Sequence, residues 1–185
     1  MLQSHAREKL LHAIIYFAHN TAYCGKVKLF KLLYFLDFQH FMEVGRSVTS
    51  SDYYAWKMGP VPRDLHEELD APQADMAKAM NVGESAPWKG GNKMLRIDPL
   101  IDFDSDLFSK REKRIMADLA LEYRSARAED MIEKTHLENL PWHRVWHDEG
   151  RKQALIPYDY ALRKGEKTQA AETAREHEEI ERNYM

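Results

Sequence analysis

Two charged residues, Lys31 and Asp37, stand inside the most apolar stretch of the chain, LFKLLYFLDFQHFM over residues 29–42. From Leu29 to Leu36 every residue except Lys31 is apolar or aromatic, and Asp37 follows on the stripe of Tyr34, Phe38 and Phe41. An unpaired carboxylate there would cost several kcal/mol or shift its pKa. Asp37 therefore calls for a partner, with Lys57 or a backbone donor the expected one, and a satisfied structural ion pair is the plainest account. Other chemistry-bearing patterns fall short. Asp102, Asp104 and Asp106 alternate like the start of a calcium loop, but Leu107 and Lys113 stand where that loop needs a glycine and a carboxylate. His143 and His147 are four apart, with His136 seven residues before His143, yet Arg144 occupies the place of the zinc-protease glutamate. Gly90-Gly91 lacks phosphate-loop spacing, and Cys24 has no histidine near it in sequence. No residue stands out as a nucleophile, and no metal or cofactor is called for. Nothing here demands an enzyme.

The elements that must position these residues read as mainly α, an α+β chain. A single compact helical domain is expected around a buried central helix, with a small two- or three-stranded sheet. Residues 6–20 carry apolar side chains at helical spacing and form a first helix. The central helix starts near Gly25 or Lys26 and stops at Val44-Gly45, where glycine permits a positive-φ cap. Its two apolar stripes, one through Phe30, Tyr34 and Phe38 and one through Leu29, Leu32, Leu33 and Leu36, mean protein on nearly every side. Tyr53 to Met58 is a candidate strand, followed by a Gly59-Pro60-Val61-Pro62 turn and a short helix opened by Pro62. Met94 to Ile97 is a second candidate strand, expected to pair with the first. Helices follow over 106–123, capped by Ser105 or Asp106, and over about 128–136, then a short one from Pro141 closed by Gly150.

Composition bounds the function. At 185 residues the chain is long enough for one well-buried core, assigned to 1–164, with a charged tail at 165–185 that is helical or disordered. A net charge of −3 gives no footprint for nucleic acid, so DNA or RNA is an unfavoured partner. The single cysteine suits a cytoplasmic protein, the N-terminus is no secretory signal, and the apolar run is too short and too interrupted to span a membrane. Tyr53, Tyr54, Trp56, Met58, Pro60 and Pro62 supply large rigid contact area, which serves either core or binding surface.

The block K-L-F-K-L-L-Y-F-L-D-F, then G-R, then Y-A-W-K-M-G-P-V-P, then Thr135-His136 ahead of Pro141-Trp142, resembles the Panacea domain, the SocA-like antitoxin family. The resemblance spans roughly 6–150. Its motif positions here include Lys31, Leu32, Leu33, Tyr34, Asp37, Gly45, Trp56, Lys57, Gly59, Pro60, Val61, His136, Pro141 and Trp142. What it implies is a cytosolic antitoxin that neutralises a cognate protein toxin by binding it. One branch of the family hands its toxin to a AAA+ protease, and the pattern stops before the tail. On that expectation the toxin docks in a groove between the central helix, the Tyr54–Pro60 strand-turn and the His136–Trp142 loop. Tyr54, Trp56 and Trp142 would supply contact area; Lys57, Asp37 and His136 would orient. The alternatives are a proteolytic adaptor, a DNA-binding autoregulator of its operon, and an enzyme built on the histidines.

Overall fold

The computed structural model describes residues 5–85, 93–137 and 140–162. Helix α1 (Ala6–Asn20) lays Leu10, Leu11, Ile14, Ile15 and Phe17 against helix α2 (Lys26–Val44). Protein does surround α2: Leu29, Leu32, Leu33 and Leu36 are fully buried on one side, and Phe30, Tyr34 and Phe38 nearly so on the other. It ends as glycine dictates, with Gly45 at φ +72° donating its N–H to the Phe41 carbonyl.

The strands pair differently from the expectation. Strand β1 (Tyr53–Trp56) folds back at once on β2 (Gly59–Pro62), antiparallel, with Tyr53 opposite Pro62 and Trp56 opposite Gly59. The Gly-Pro-Val-Pro segment is thus a strand and not only a turn. Two prolines are tolerated because β2 is a sheet edge, where a missing N–H breaks no ladder on its outer side. The other edge of β1 is taken by residues 153–156, with Ala55 N–H on the Ala154 carbonyl and Ile156 N–H on the Tyr53 carbonyl, 2.9 and 2.8 Å. The second candidate strand, β4 (Leu95–Pro99), pairs instead with β3 (Met80–Glu84). Local pairing prevails because closing a loop between 58 and 94 costs more entropy than closing the two-residue β1–β2 turn and the shorter connection from Glu84 to Leu95. Trp88 and Gly90-Gly91 lie outside the described residues, as does the 165–185 tail.

Short helices α3 (Arg63–Glu68) and α4 (Ala74–Ala79) are tied to α1 by Arg7, which donates to Glu68 and Asp75, 2.7 Å each. Helix α5 (Lys110–Glu122) begins later than expected. Ser109 and Glu112 form its capping box, while Asp104 caps a separate 3-10 turn at Ser105–Leu107. Leu121 of this helix is 75% exposed. Helix α6 (Ala128–His136) precedes α7 (Pro141–His143), which widens into a single π-helical turn at Arg144–Asp148 before Gly150 at φ +63°. Among the described residues the result is mainly helical with two small two-stranded sheets, and no helix is long and apolar enough to cross a membrane.

Candidate functional site

Helix α2 carries its polar residues at three levels, and each is met by a different part of the chain. At the first, Lys28 is fully buried and its Nζ donates to the carbonyls of Tyr123, Ala22 and Ala126 at 2.6, 2.7 and 2.8 Å. It gathers the loose carbonyls at the end of α5 and the loop before α2, the role of a C-terminal cap supplied from another helix.

One turn on, Lys31 is 1% exposed and reaches the other way, to the Pro60 carbonyl of β2 at 2.9 Å. Burial pushes its amine down to about 7. Gly59 closes the same space. At φ +100° it holds a conformation that favours glycine, and a Cβ there would stand 2.7 Å from Lys31 Cε and 2.8 Å from Thr135 Oγ1. Hairpin, α2 and α6 are therefore in direct contact at this point.

At the third level Asp37 is fully buried with four donors: the N–H groups of Val48 and Thr49 at 2.8 Å each, Thr49 Oγ1 at 2.5 Å and Tyr53 Oη at 2.7 Å. Of the two expected partners, the backbone donors are found; Lys57 is exposed at the hairpin turn and makes no ion pair with it. Asp37 is the acceptor around which the donors of residues 48–53 gather, instead of half of a salt bridge. Burial raises its carboxyl above the usual range, opposed by those donors, and burial with the adjacent Asp37 charge pushes the Tyr53 phenol well up.

The C-terminal motif closes the other side of the hairpin. Trp142 is 1% exposed, donates its indole N–H to the Trp56 carbonyl at 2.9 Å, and stacks on His136 with centroids 3.8 Å apart. Pro141 is buried beside it as the first residue of α7. Tyr34, nearly fully buried, packs on Phe38 at 4.2 Å and Tyr53 at 5.5 Å, with its hydroxyl beside the main chain of Trp142. His136 is pushed down by burial, then by Lys31, His147 and His143.

The residues singled out in sequence therefore converge, but not around a groove. Lys31, Tyr34, Asp37, Gly59, Pro60, Pro141 and Trp142 are buried, and the hairpin packs directly on Lys31, Thr135 and Trp142. Trp142 belongs to the core, so it offers no contact area to a partner. Of the proposed contact residues, Tyr54 and Trp56 remain half-exposed and Lys57 exposed. Alternation along β1 explains the split: Tyr53 and Ala55 point inward, Tyr54 and Trp56 outward. Arg63 and His66 of α3 line up over those two outward rings, 4.4 and 5.1 Å from their centroids. Met58, 52% exposed at the turn, and Trp146, packed on Trp142 at 5.5 Å, extend this face.

Sequence reading placed Thr135 in a motif without giving it a role, and missed Thr49, Tyr53 and Lys28 as anchors. The signal for Lys28, a second lysine one turn before Lys31, was there but points nowhere until α5 is placed. The His143 and His147 rings are 4.7 Å apart, but among the described residues no three His, Cys, Asp or Glu side chains converge on a metal position.

This arrangement coincides with a known family. The profile described as antitoxin SocA-like, Panacea domain, matches residues 29–143. The chain belongs to that family. The matched span runs from the first turns of α2 to the end of α7 and takes in every level of the anchor system above except Lys28, so α1 packs outside it. No curated protein and no solved structure matches the chain. What the Panacea motif encodes here is mainly the anchoring of a hairpin to a central helix: Lys31 and Gly59 hold the start of its second strand beside the turn, Asp37 holds its approach and Trp142 holds its first strand.

Proposed function

We propose that this Panacea domain is an antitoxin that neutralises a cognate protein toxin by direct, stoichiometric binding, and that the toxin docks on the outward face of the β1–β2 hairpin. Membership in an antitoxin-like family supports a toxin partner in general. The observation that carries the finer reading is the contrast within the hairpin. Its main chain is pinned from behind by Trp142 and Lys31, while Met58 and Lys57 stand exposed at its tip and Trp56 is half open beside them.

A turn whose main chain is already fixed costs little backbone entropy to bind. A flat aromatic next to it matches the composition of interface hot spots. Tyr54, Trp56, Lys57 and Met58 are the contact residues; Lys31, Asp37, Gly59, Pro60 and Trp142 act by holding them in place. Neutralisation by this route needs no catalysis: the hairpin occupies the toxin's working surface or an essential segment of it.

The test is co-expression with the product of the adjacent small open reading frame, scoring growth and co-purification. The wild-type chain should restore growth and co-purify. Met58→Glu and Trp56→Ala should keep the helical circular-dichroism signal and weaken binding by about 2 kcal/mol or more. Rescue of growth by both variants at wild-type affinity moves the docking site off the hairpin.

A further inference from the structure

Lys31 is an unusual buried cation. Its neighbour Lys28 is surrounded by main-chain carbonyls, whereas Lys31 Nζ donates to one, Pro60 O. Among the described residues no carboxylate lies within ion-pair distance of it. The groups facing it bring no negative charge. Helix α2 adds the Tyr34 phenol one turn on, β2 adds only the main chain of Gly59 and Pro60, and α6 adds Thr135, whose hydroxyl donates to the Ile132 carbonyl at 3.0 Å. His136 follows on α6, and His143 and His147 act on it from α7 and the π turn. Its Nε2 is itself buried without a hydrogen-bond partner. The acid on α2, Asp37, is fully engaged by the 48–53 segment.

This spot is also where the hairpin is fastened. Pro60 is in β2, Gly59 packs on Lys31 and Thr135, and His136 stacks on the same Trp142 that holds the Trp56 carbonyl. An uncharged amine can donate to Pro60 and stay dry. An ammonium in the same place has donors it cannot satisfy and lies beside a histidine with nowhere to place a second charge.

We propose that Lys31 is a proton-operated latch on the β1–β2 hairpin, shut while its amine is uncharged and released when the amine takes up a proton. The released form lets Lys31 reach water by moving the Gly59–Pro60 end of the hairpin away from α2, which loosens the Trp56–Trp142 contact. The proton comes from and returns to solvent, and no other bond changes. The latch regulates the face assigned to toxin binding and rests on that reading for its biological consequence, but it is tested without any partner. The burial that lowers the Lys31 pKa to about 7 places the change near neutrality.

The experiment is NMR on the full chain carrying lysine labelled at Cε, followed from about pH 6 to about pH 10.5, with amide protection factors of Tyr54–Trp56 measured alongside. One lysine signal, absent from Lys31→Met, should titrate at least about two pH units below the exposed lysines, with Lys28, which burial also lowers, assigned separately. Hairpin protection should fall about tenfold or more on acidification through the same midpoint, and this step should be missing in Lys31→Met. His136→Gln should keep the step near its wild-type midpoint, because burial lowers the imidazole and leaves it uncharged there. Three outcomes overturn the latch: Lys31 titrating with the other lysines, low titration with unchanged hairpin protection, or a step that survives Lys31→Met and disappears in His136→Gln. Should Lys31→Met fail to fold, coincidence of the two midpoints in the wild-type chain, with Lys31 assigned through its backbone, decides alone. Failure of toxin capture in the co-expression assay leaves all these readouts in place, so the two proposals fall separately.

Discussion

Asp37 and Lys31 sit two turns apart on one helix, both buried and both charged types, and they are treated in opposite ways. Asp37 receives four hydrogen bonds from a loop that wraps around it. Lys31 gives one to a strand that merely touches it. A buried ion that is saturated with donors fixes its surroundings, because any movement strands several polar groups at once. A buried ion with a single partner holds its surroundings only in the protonation state that the site can tolerate. The same hairpin is thus anchored firmly where the chain enters it, at 48–53, and conditionally next to its turn, at Gly59–Pro60. The entry sets where the hairpin stands; the contact beside the turn sets whether its tip stays closed.

Substitutions sharpen or break that contrast. The largest effect is expected for Asp37→Ala, which leaves two backbone N–H groups and two hydroxyls facing a void. A loss of about 3–5 kcal/mol, comparable to breaking a buried ion pair, should appear in urea unfolding. A loss under about 1 kcal/mol would mean that the 46–52 connection finds other partners. Next comes Lys28→Met, which strands the carbonyls of Ala22, Tyr123 and Ala126 and should cost about 2–3 kcal/mol. Gly59→Ala should cost about 2 kcal/mol, from the positive φ and from the contact with Lys31 Cε, and should raise hydrogen exchange in the hairpin before elsewhere. The smallest effect belongs to Lys31→Met, neutral or stabilising near neutrality because an apolar isostere replaces a poorly served amine.

The pH dependence separates the lysine site from the acid. A lysine whose folded pKa is lowered binds fewer protons folded than unfolded, so its full stability is present above the unfolded value of 10.5 and is lost as pH falls towards about 7. Unfolding free energy should therefore rise from pH 7 to 10 with a slope approaching about 1.4 kcal/mol per pH unit from this group. Lys31→Met should flatten that rise. An identical slope in both chains would mean that Lys31 is solvated and the contrast with Asp37 is lost.

Much of the architecture is legible in the amino-acid order, and the failures are instructive. The bounds of α1 and α2 follow from helical spacing and from Gly45, since a long periodic run with a glycine stop overwhelms competing local signals. The start of α5 was misplaced because Asp104, Ser105 and Asp106 are also good caps; they close a 3-10 turn, and Ser109 with Glu112 does the capping. Strand pairing was misassigned because alternation reveals a strand but not its neighbour. The residue types alone give Tyr54, Trp56 and Trp142 the same role; only packing separates the half-exposed pair from buried Trp142, whose indole reaches a hairpin carbonyl 86 residues away.

By itself the sequence determined that a nearly all-apolar helix must lie at the centre, that Lys31 and Asp37 must be buried with it, and that the W-K-x-G-P and P-W segments accompany it as one family motif. Those conclusions rest on composition and period, which act over one or two turns of chain. Only the tertiary structure decided which donors reach Asp37, that Lys31 faces Pro60 and His136 with no carboxylate among the described residues, and that the hairpin shows Met58 and Lys57 outward. The physical reason is that a polar group's energy depends on what approaches it from elsewhere in the chain, and contacts between Lys31 and Pro60 or Thr135 exist only after α2, the hairpin and α6 have packed.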